Sequence, residues 1–191
     1  MSSFIRSLAV VMLVACGGGG GGGSGGSVEG NIHGSAFSIQ DAVSASVAID
    51  TTLHGALIVM SSTSGLCKDA ATNAVHPNQK AVLITLFDVN GTTLNTPTVP
   101  GTYAIYQGSG TPPSKTASWD ASVTDATCNE IDASGATATT GTVTLSGISG
   151  NTFSGSYDVV LDSGDHVTGS FDPEACPDIQ KAIDSTTATC I

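Results

Sequence analysis

Basic residues are scarce in this sequence, and their scarcity excludes a class of partner. Lys and Arg together number 5 against 16 Asp and Glu, and the formal net charge is −11. Neutralising phosphates requires clustered Lys and Arg, and so does adsorption onto an anionic bilayer through a basic patch. The sequence contains no such cluster, so we expect no nucleic-acid partner and no charge-driven membrane contact.

Catalytic and metal-binding signatures are also missing. There is no Gly-x-Ser-x-Gly elbow between a strand and a helix, no His-Glu-x-x-His pair and no Cys-x-x-Cys. The four histidines, His33, His54, His76 and His166, are scattered along the chain. A Ser-His-Asp arrangement stays open because its members meet only in space. We expect no enzyme activity and no cofactor, with an anchored hydrolase as the alternative.

No apolar run is long enough for a stable membrane span, but a short one stands near the start. Leu8 to Ala15 is uninterrupted and follows a positively charged segment containing Arg6. Eight helical residues cover about 12 Å, against a hydrocarbon core of roughly 30 Å. A short apolar segment behind a positive charge, ending in small residues, is typical of an export signal. We assign residues 1–15 to a signal peptide.

The end of this run resembles the lipobox of bacterial lipoproteins. Its residues are Leu13-Val14-Ala15-Cys16: an aliphatic residue, a tolerated small position, Ala, then Cys. The resemblance implies that Cys16 receives a thioether-linked diacylglyceryl group, becomes the new N-terminus and is often acylated further, for example with palmitate. Two or three acyl chains give durable anchoring. Gly17 rather than Asp after the cysteine resembles the pattern of Gram-negative lipoproteins sent to the outer membrane.

Residues 16–27 are the lipidated cysteine followed by nine Gly and two Ser, which predict a flexible tether. A Gly-rich phosphate-binding loop would need a preceding strand and a Lys-Ser or Lys-Thr at its end, which are absent. The folded domain is then expected over residues 28–191.

This domain is predicted to be all-β, as an antiparallel β-sandwich or alternatively a β-barrel, with a short C-terminal helical tail. Thr, Val and Ile suit strands, and short alternating segments separated by Gly-rich turns predict a meander. The clearest expected strands are 42–49, 55–61, 80–89, 101–107, 116–124, 141–146, 153–162 and 166–171, and the helix is 178–184. The segments Gly141-Thr-Val-Thr-Leu, Gly155-Ser-Tyr-Asp and Gly164-Asp-His-Val-Thr-Gly-Ser-Phe-Asp resemble the C-terminal part of bacterial envelope lipoproteins of unknown activity.

Four cysteines remain beyond Cys16, an even number that favours two disulfides in an exported domain. Three connectivities exist; we favour Cys176–Cys190, which would hold the tail, and Cys67–Cys128, which would join two loops. A zinc site is the alternative, but no suitable His pair accompanies the cysteines.

Two further features are candidates for a site. Asp162, Asp165 and His166 surround a predicted hairpin turn and could hold calcium, although Asp and Gly are also what a tight turn requires. Trp119 could stack on a sugar or a peptide, but its same-face neighbours Ala117, Ala121 and Val123 favour a core role. The sequence therefore predicts a lipid-anchored envelope protein with a non-catalytic binding or scaffolding domain, whose partner is an envelope protein or glycan.

Overall fold

The computed structural model describes residues 25–185 and 187–191, so Cys16 and the predicted signal peptide lie outside the described residues. The described chain is mostly β, as predicted. Its strands are β1 (Gly25–Glu29), β2 (Asn31–Ile32), β3 (Ser35–Ala36), β4 (Asp41–Ala48), β5 (His54–Ser61), β6 (Ala74–Val75), β7 (Lys80–Asn90), β8 (Thr93–Asn95), β9 (Gly101–Ile105), β10 (Lys115–Val123), β11 (Ala136–Ser149), β12 (Thr152–Leu161), β13 (His166–Asp172), β14 (Glu174–Ala175) and β15 (Thr189–Cys190). Two short helices are α1 (Leu66–Thr72) and α2 (Ile179–Asp184), and a 3₁₀ turn spans Asp132–Ser134.

Eleven strands form one mixed sheet that curls into a half-barrel. Its order is β1-β13-β12-β11-β9-β10-β7-β5-β4-β14, with β8 beside β7. Most pairs are antiparallel, but β9 with β10 and β14 with β4 are parallel, so the predicted meander holds only in part. The all-β class and the C-terminal helix are confirmed. Because the strands belong to one curled sheet, the architecture is nearer to the barrel alternative than to two stacked sheets.

Ser44 joins parts of the sheet that are far apart in its strand order. The fully buried hydroxyl of this β4 residue donates to the carbonyl of Asn151 at 3.0 Å and accepts from the Phe153 N–H at 3.3 Å. The chain itself crosses the same gap, because β13 pairs beside β1 and the next strand, β14, pairs with β4. These connections keep the sheet curled around its concave face.

The concave face carries the main core. Alternation along β10 points Ala117, Trp119 and Ala121 inward, and all three are buried. Trp119 and Tyr157 pack with ring centroids 5.7 Å apart. The large side chains that are fully buried include Trp119, Tyr103, Phe153, Phe171, Ile58, Ile84 and Leu86. Trp119 therefore has the core role that its neighbours favoured.

A second, smaller core lies on the opposite face of β4 and β5. Ala42 faces the main core, while the next residue, Val43, faces α1 and α2. The helices contribute mainly small or aliphatic residues to this layer, namely Leu66, Ala70, Ile179 and Ala182. Because β4 and β5 are covered on both faces, β5 has the continuous apolar sequence typical of a buried strand. We call this layer the helical flank: α1, α2 and the β4–β5 face beneath them.

Two disulfides tie this side of the molecule, but the expected pairing is wrong. The bonds join Cys67 to Cys176 and Cys128 to Cys190, with Cα atoms 5.4 and 5.7 Å apart. The unpredicted helix α1 packs against the start of α2 and brings Cys67 to Cys176. The C-terminal residues pair as β15 with β6, which carries Cys190 away from Cys176.

The sheet also includes part of the expected tether. Gly25, Gly26 and Ser27 belong to β1 and pair with β13, so the ordered β structure includes residues before Val28. A Cβ at Gly26 would meet the sulfur of the buried Met60 side chain, which would then have to shift. Over residues 25–185 and 187–191, no helix is long and apolar enough to cross a membrane.

Candidate functional site

The three side chains proposed for calcium do not converge. Asp162 accepts a hydrogen bond from the Thr137 N–H at 3.3 Å. Asp165 accepts from the backbone N–H of His33 at 3.0 Å and from the Ser163 hydroxyl at 2.8 Å. Each carboxylate therefore accepts hydrogen bonds from nearby turn and loop residues instead of facing a shared ion site. Within the described part of the chain, no three His, Cys, Asp or Glu residues form a group suited to a metal ion.

His166 has a carboxylate partner, but one from the neighbouring strand. Its Nε2 lies 2.7 Å from Oδ1 of Asp158, and the two side chains are 60% and 68% exposed. The hydrogen bonds that the structure shows for His166 include no serine hydroxyl. Water reaches the pair freely, so it lacks the desolvated surroundings that tune acid–base groups at active sites. The arrangement is that of an exposed hydrogen bond between neighbouring strands.

The side chains of the other histidines make no hydrogen bond to this pair or to one another in the described residues. His33 occupies the tip of the β2–β3 hairpin with φ of 49°, and its Nε2 lies 2.9 Å from the carbonyl of Gly135. His54 is exposed at the start of β5. The Nε2 atom of His76 is buried without a hydrogen-bond partner in the described residues. No two of the four histidines contribute to a common site in this part of the molecule.

The outer face of the half-barrel carries a regular row of hydroxyl groups. Thr144 of β11 lies opposite Thr102 of β9 on one side and Ser156 of β12 on the other. Ser156 lies opposite Ser170 of β13, which in turn lies opposite Ser27 of β1. We call these five residues the hydroxyl row. Adjacent members are separated by the strand spacing of about 4.8 Å.

The row arises from simple alternation along the strands. On β11, Val143 and Leu145 are buried in the main core, and Thr142 and Thr144, which alternate with them, are exposed. The next row along the strands contains Thr142, Asp158, Thr168 and Glu29 in register. The outer face therefore combines neutral hydroxyls with acidic groups.

The hydroxyls of the row are largely available for a ligand. Ser27 and Ser170 share a hydrogen bond of 3.1 Å, whereas the side chains of Thr102, Thr144 and Ser156 make none within the described residues. Each hydroxyl can both donate and accept a hydrogen bond. Aromatic stacking would need other residues, because Trp119, Tyr103 and Tyr157 are buried.

A partly buried ionic cluster lies where β7, β9 and β10 meet. Nζ of Lys115 lies 2.9 Å from Asp88 and 3.0 Å from the hydroxyl of Tyr103, which donates to Asp88 at 3.0 Å. Burial raises the pKa of Tyr103. Burial alone would lower the pKa of Lys115, but the hydrogen bonds to Tyr103 and Asp88 outweigh it and the pKa is raised. The phenol stays neutral and the amine stays charged, so neither is activated as a nucleophile.

A buried carboxyl group on the helical flank escaped the sequence analysis. Asp69 of α1 is only 1% exposed, and its Oδ2 has no hydrogen-bond partner in the structure as described. Burial raises the pKa of Asp69 to about 6; the charge of Lys68 lowers it and that of Asp41 raises it. The sequence feature that could have revealed it is helical spacing. Asp69 comes three residues after Leu66 and directly before Ala70, so a helix would place all three on one buried face.

Comparison with protein-family models, with curated proteins and with solved structures gives no match to this chain.

Proposed function

We propose that this protein is a lipid-anchored component of the cell envelope, at the outer membrane of a Gram-negative bacterium. The proposal is supported by the Leu13-Val14-Ala15-Cys16 sequence, which resembles a lipobox at the end of a short apolar run. It is also supported by the two disulfides, since such bonds persist mainly in oxidising, extracytoplasmic compartments. Cys16 is the residue that carries the anchor.

We further propose that the domain binds an envelope glycan without catalysis, or holds that glycan as a scaffold. The observation that carries this proposal is the hydroxyl row, whose five members come from five neighbouring strands. Regularly spaced hydroxyls, which both donate and accept hydrogen bonds, suit a polymer whose own surface consists of hydroxyl and amide groups. The next row along the strands carries the carboxylates of Asp158 and Glu29, which disfavour densely charged polyanions such as polyphosphates.

An anchored hydrolase is the second candidate, and the hydrogen bond between His166 and Asp158 favours it. A hydrolase built on this pair would need a nucleophile or an activated water beside the imidazole. The exposure of both side chains weighs against that role, because general acid–base groups work best where water is excluded.

The anchor is tested by Cys16→Ser. We expect the variant to remain unprocessed or to leave the membrane fraction, because serine cannot form the thioether. The measurement is fractionation of envelopes combined with mass spectrometry of the N-terminus. Unchanged processing and membrane retention would contradict the lipid anchor, and Cys67→Ala/Cys176→Ala is the control for a thiol change elsewhere.

Ligand binding is tested by sedimentation of the detergent-solubilised, full-length protein with purified peptidoglycan sacculi. Thr144→Val/Ser156→Ala removes two hydroxyls from the centre of the row with little change in shape, and we expect binding to fall about tenfold. Thr98→Val/Ser109→Ala, at two exposed positions outside the row, is the matched control and should bind normally. Equal binding by both variants would exclude the hydroxyl row, and no binding by the native protein would exclude peptidoglycan as its ligand.

A further inference from the structure

We propose that Asp69 makes the docking of α1 onto the sheet dependent on pH, with α1 held more firmly in acid than at neutral pH. This device is independent of the proposed glycan contact, because it concerns the helical flank and the hydroxyl row lies on strands β1, β9, β11, β12 and β13. Its evidence is the burial of Asp69 and the geometry around it.

The first turn of α1 is already held by one carboxylate. Oδ2 of Asp41, at the start of β4, accepts from the backbone N–H of Gly65 at 2.7 Å and of Leu66 at 3.0 Å. These bonds satisfy two of the amide groups that a helix leaves free at its N-terminus. In both bonds Oδ2 of Asp41 is the acceptor, so this carboxyl group already has donors from the helix.

Asp69 is the second carboxyl group beneath the same helix, and it lacks such donors. It belongs to the buried stripe of α1 together with Leu66 and Ala70. Its Oδ2 is buried without a partner, and so is Oδ1 of Asn73, one helical turn further along. An ionised carboxylate in this position is costly, because burial removes water and no N–H or O–H replaces it. A proton removes the charge and supplies one donor to a region with unsatisfied oxygens.

The charges around Asp69 act in both directions. Asp41 from β4 opposes its ionisation, and Lys68 from α1 itself favours it but is exposed. The titratable groups of α2 are Lys181 and Asp184, both exposed, and Lys181 pairs with Asp178 at 2.6 Å. Strand β6 has no titratable residue. His76 follows β6 and is the group whose titration must be separated from that of Asp69 by experiment.

The sign of the effect follows from linkage. Asp69 has a pKa of about 6 in the folded protein against an ordinary value of 3.8, so the folded state retains its proton over a range where the open state has lost it. Stability of the docked helix is therefore greatest in acid and falls as pH rises through about 6. Between about pH 5 and pH 7.5 these two pKa values correspond to a roughly tenfold increase in the opening equilibrium of α1.

The opening of α1 can remain local. The helix packs on the second core rather than the main core, and the Cys67–Cys176 bond keeps it beside α2 after it loosens. Regions with few apolar contacts open at lower free energy than the core strands of the same protein. The amides of α1 can thus lose protection from hydrogen exchange while the half-barrel stays folded.

The test is hydrogen exchange of the full-length protein, followed by mass spectrometry at about pH 5 and pH 7.5 and corrected for intrinsic exchange rates. In the native protein, protection of residues 66–72 should fall about tenfold at the higher pH, while β10 remains unchanged. Asp69→Asn should abolish this difference. His76→Gln and the exposed control Asp172→Asn should retain it.

A pH effect of the same size in Asp69→Asn would overturn the proposal, and loss of the effect in His76→Gln would assign it to the imidazole instead. If Asp69→Asn does not fold, the carboxyl titration of Asp69 in the native protein, followed by NMR, decides. A midpoint near 6 supports the proposal, and a midpoint below about 4.5 overturns it.

Discussion

The two sides of the sheet bury their residues in different ways. The concave side packs aromatic and long aliphatic side chains from strands that span the whole sheet, including Trp119, Phe153 and Phe171. The helical flank packs mostly small and β-branched residues from two strands and two short helices, and it also buries Asp69. The Cys67–Cys176 disulfide belongs to the flank.

The difference shows that one molecule can contain a core stabilised by apolar burial alone and a second core that also relies on a disulfide. Free energy from apolar burial scales with the area removed from water, so the concave core needs no covalent support. Helices of 7 and 6 residues are too short to be stable alone and depend on packing and on the disulfide. Sensitivity to oxidation state and pH is consequently expected at the flank.

The largest loss of stability is expected from removing the central side chain of the concave core. Trp119→Ala should lower the free energy of unfolding by about 3–5 kcal/mol, because it leaves a large cavity in a fully buried position. Urea denaturation followed by circular dichroism measures the effect. Val99→Ala, at an exposed apolar position, should change stability little. A loss below about 1 kcal/mol for Trp119→Ala would mean that this core is not the main source of stability.

Removing the flank disulfide should have the next largest effect. Cys67→Ala/Cys176→Ala is expected to cost about 2–4 kcal/mol, since the bond closes a loop with a sequence separation of 109. Hydrogen exchange should rise in α1 and α2, while fluorescence of the buried Trp119 keeps its native position. A simultaneous change of both signals would show that the two cores do not act separately. Cys128→Ala/Cys190→Ala removes the bond that holds β15 beside β6, beyond the end of α1, and should raise exchange in α2 less than Cys67→Ala/Cys176→Ala does.

A smaller effect is expected from pH. Because the pKa of Asp69 is raised to about 6, the flank loses stability as pH rises, and the tenfold change expected between about pH 5 and 7.5 corresponds to about 1.4 kcal/mol. The difference between native protein and Asp69→Asn should therefore grow with pH in favour of the variant. Urea titrations at both values measure it. A difference that is constant with pH would be inconsistent with burial of an ionisable group.

The smallest effect should come from the ionic cluster at the edge of the concave core. Tyr103→Phe removes a hydroxyl that donates to Asp88 and accepts from Lys115, and should cost about 1 kcal/mol. Lys115 and Asp88 remain paired directly, which limits the loss. Tyr106→Phe, whose hydroxyl bonds only within its own loop, is the comparison. A cost above about 3 kcal/mol would indicate that the cluster stabilises the whole sheet.

Most strands were predictable because they alternate polar and apolar residues against one core, and β5 was predictable from its continuous apolar run. Expected strands such as 80–89 and 153–162 correspond closely to Lys80–Asn90 and Thr152–Leu161. The parallel pairing of β9 with β10 was not predictable, because alternation identifies the buried face of a strand but not its neighbour. For the same reason the outward direction of Thr144 could be read from sequence, whereas its alignment with Thr102 and Ser156 could not.

The helical flank was harder to predict. Helix α1 is brief and bounded by Gly65 and Asn73, both with positive φ, so its pattern resembles a loop. Without α1, the proximity of Cys67 to Cys176 could not be inferred, and the disulfide pairing was wrong. Asp69 was overlooked because a single acidic residue in a short segment ordinarily faces solvent.

The position of β1 has a mechanical consequence. Force that reaches the domain along the chain from the N-terminal side enters at Gly25, where β1 pairs with β13 over five residue pairs. Strand hydrogen bonds lie perpendicular to the chain in antiparallel pairs. A pull across the strands therefore breaks these bonds one after another, whereas a pull along β1 loads all of them together. The direction of the load decides whether the first strand peels away at low force or transmits tension into β13. In the second case the tension also reaches the hydrogen bonds of Ser44 to Asn151 and Phe153.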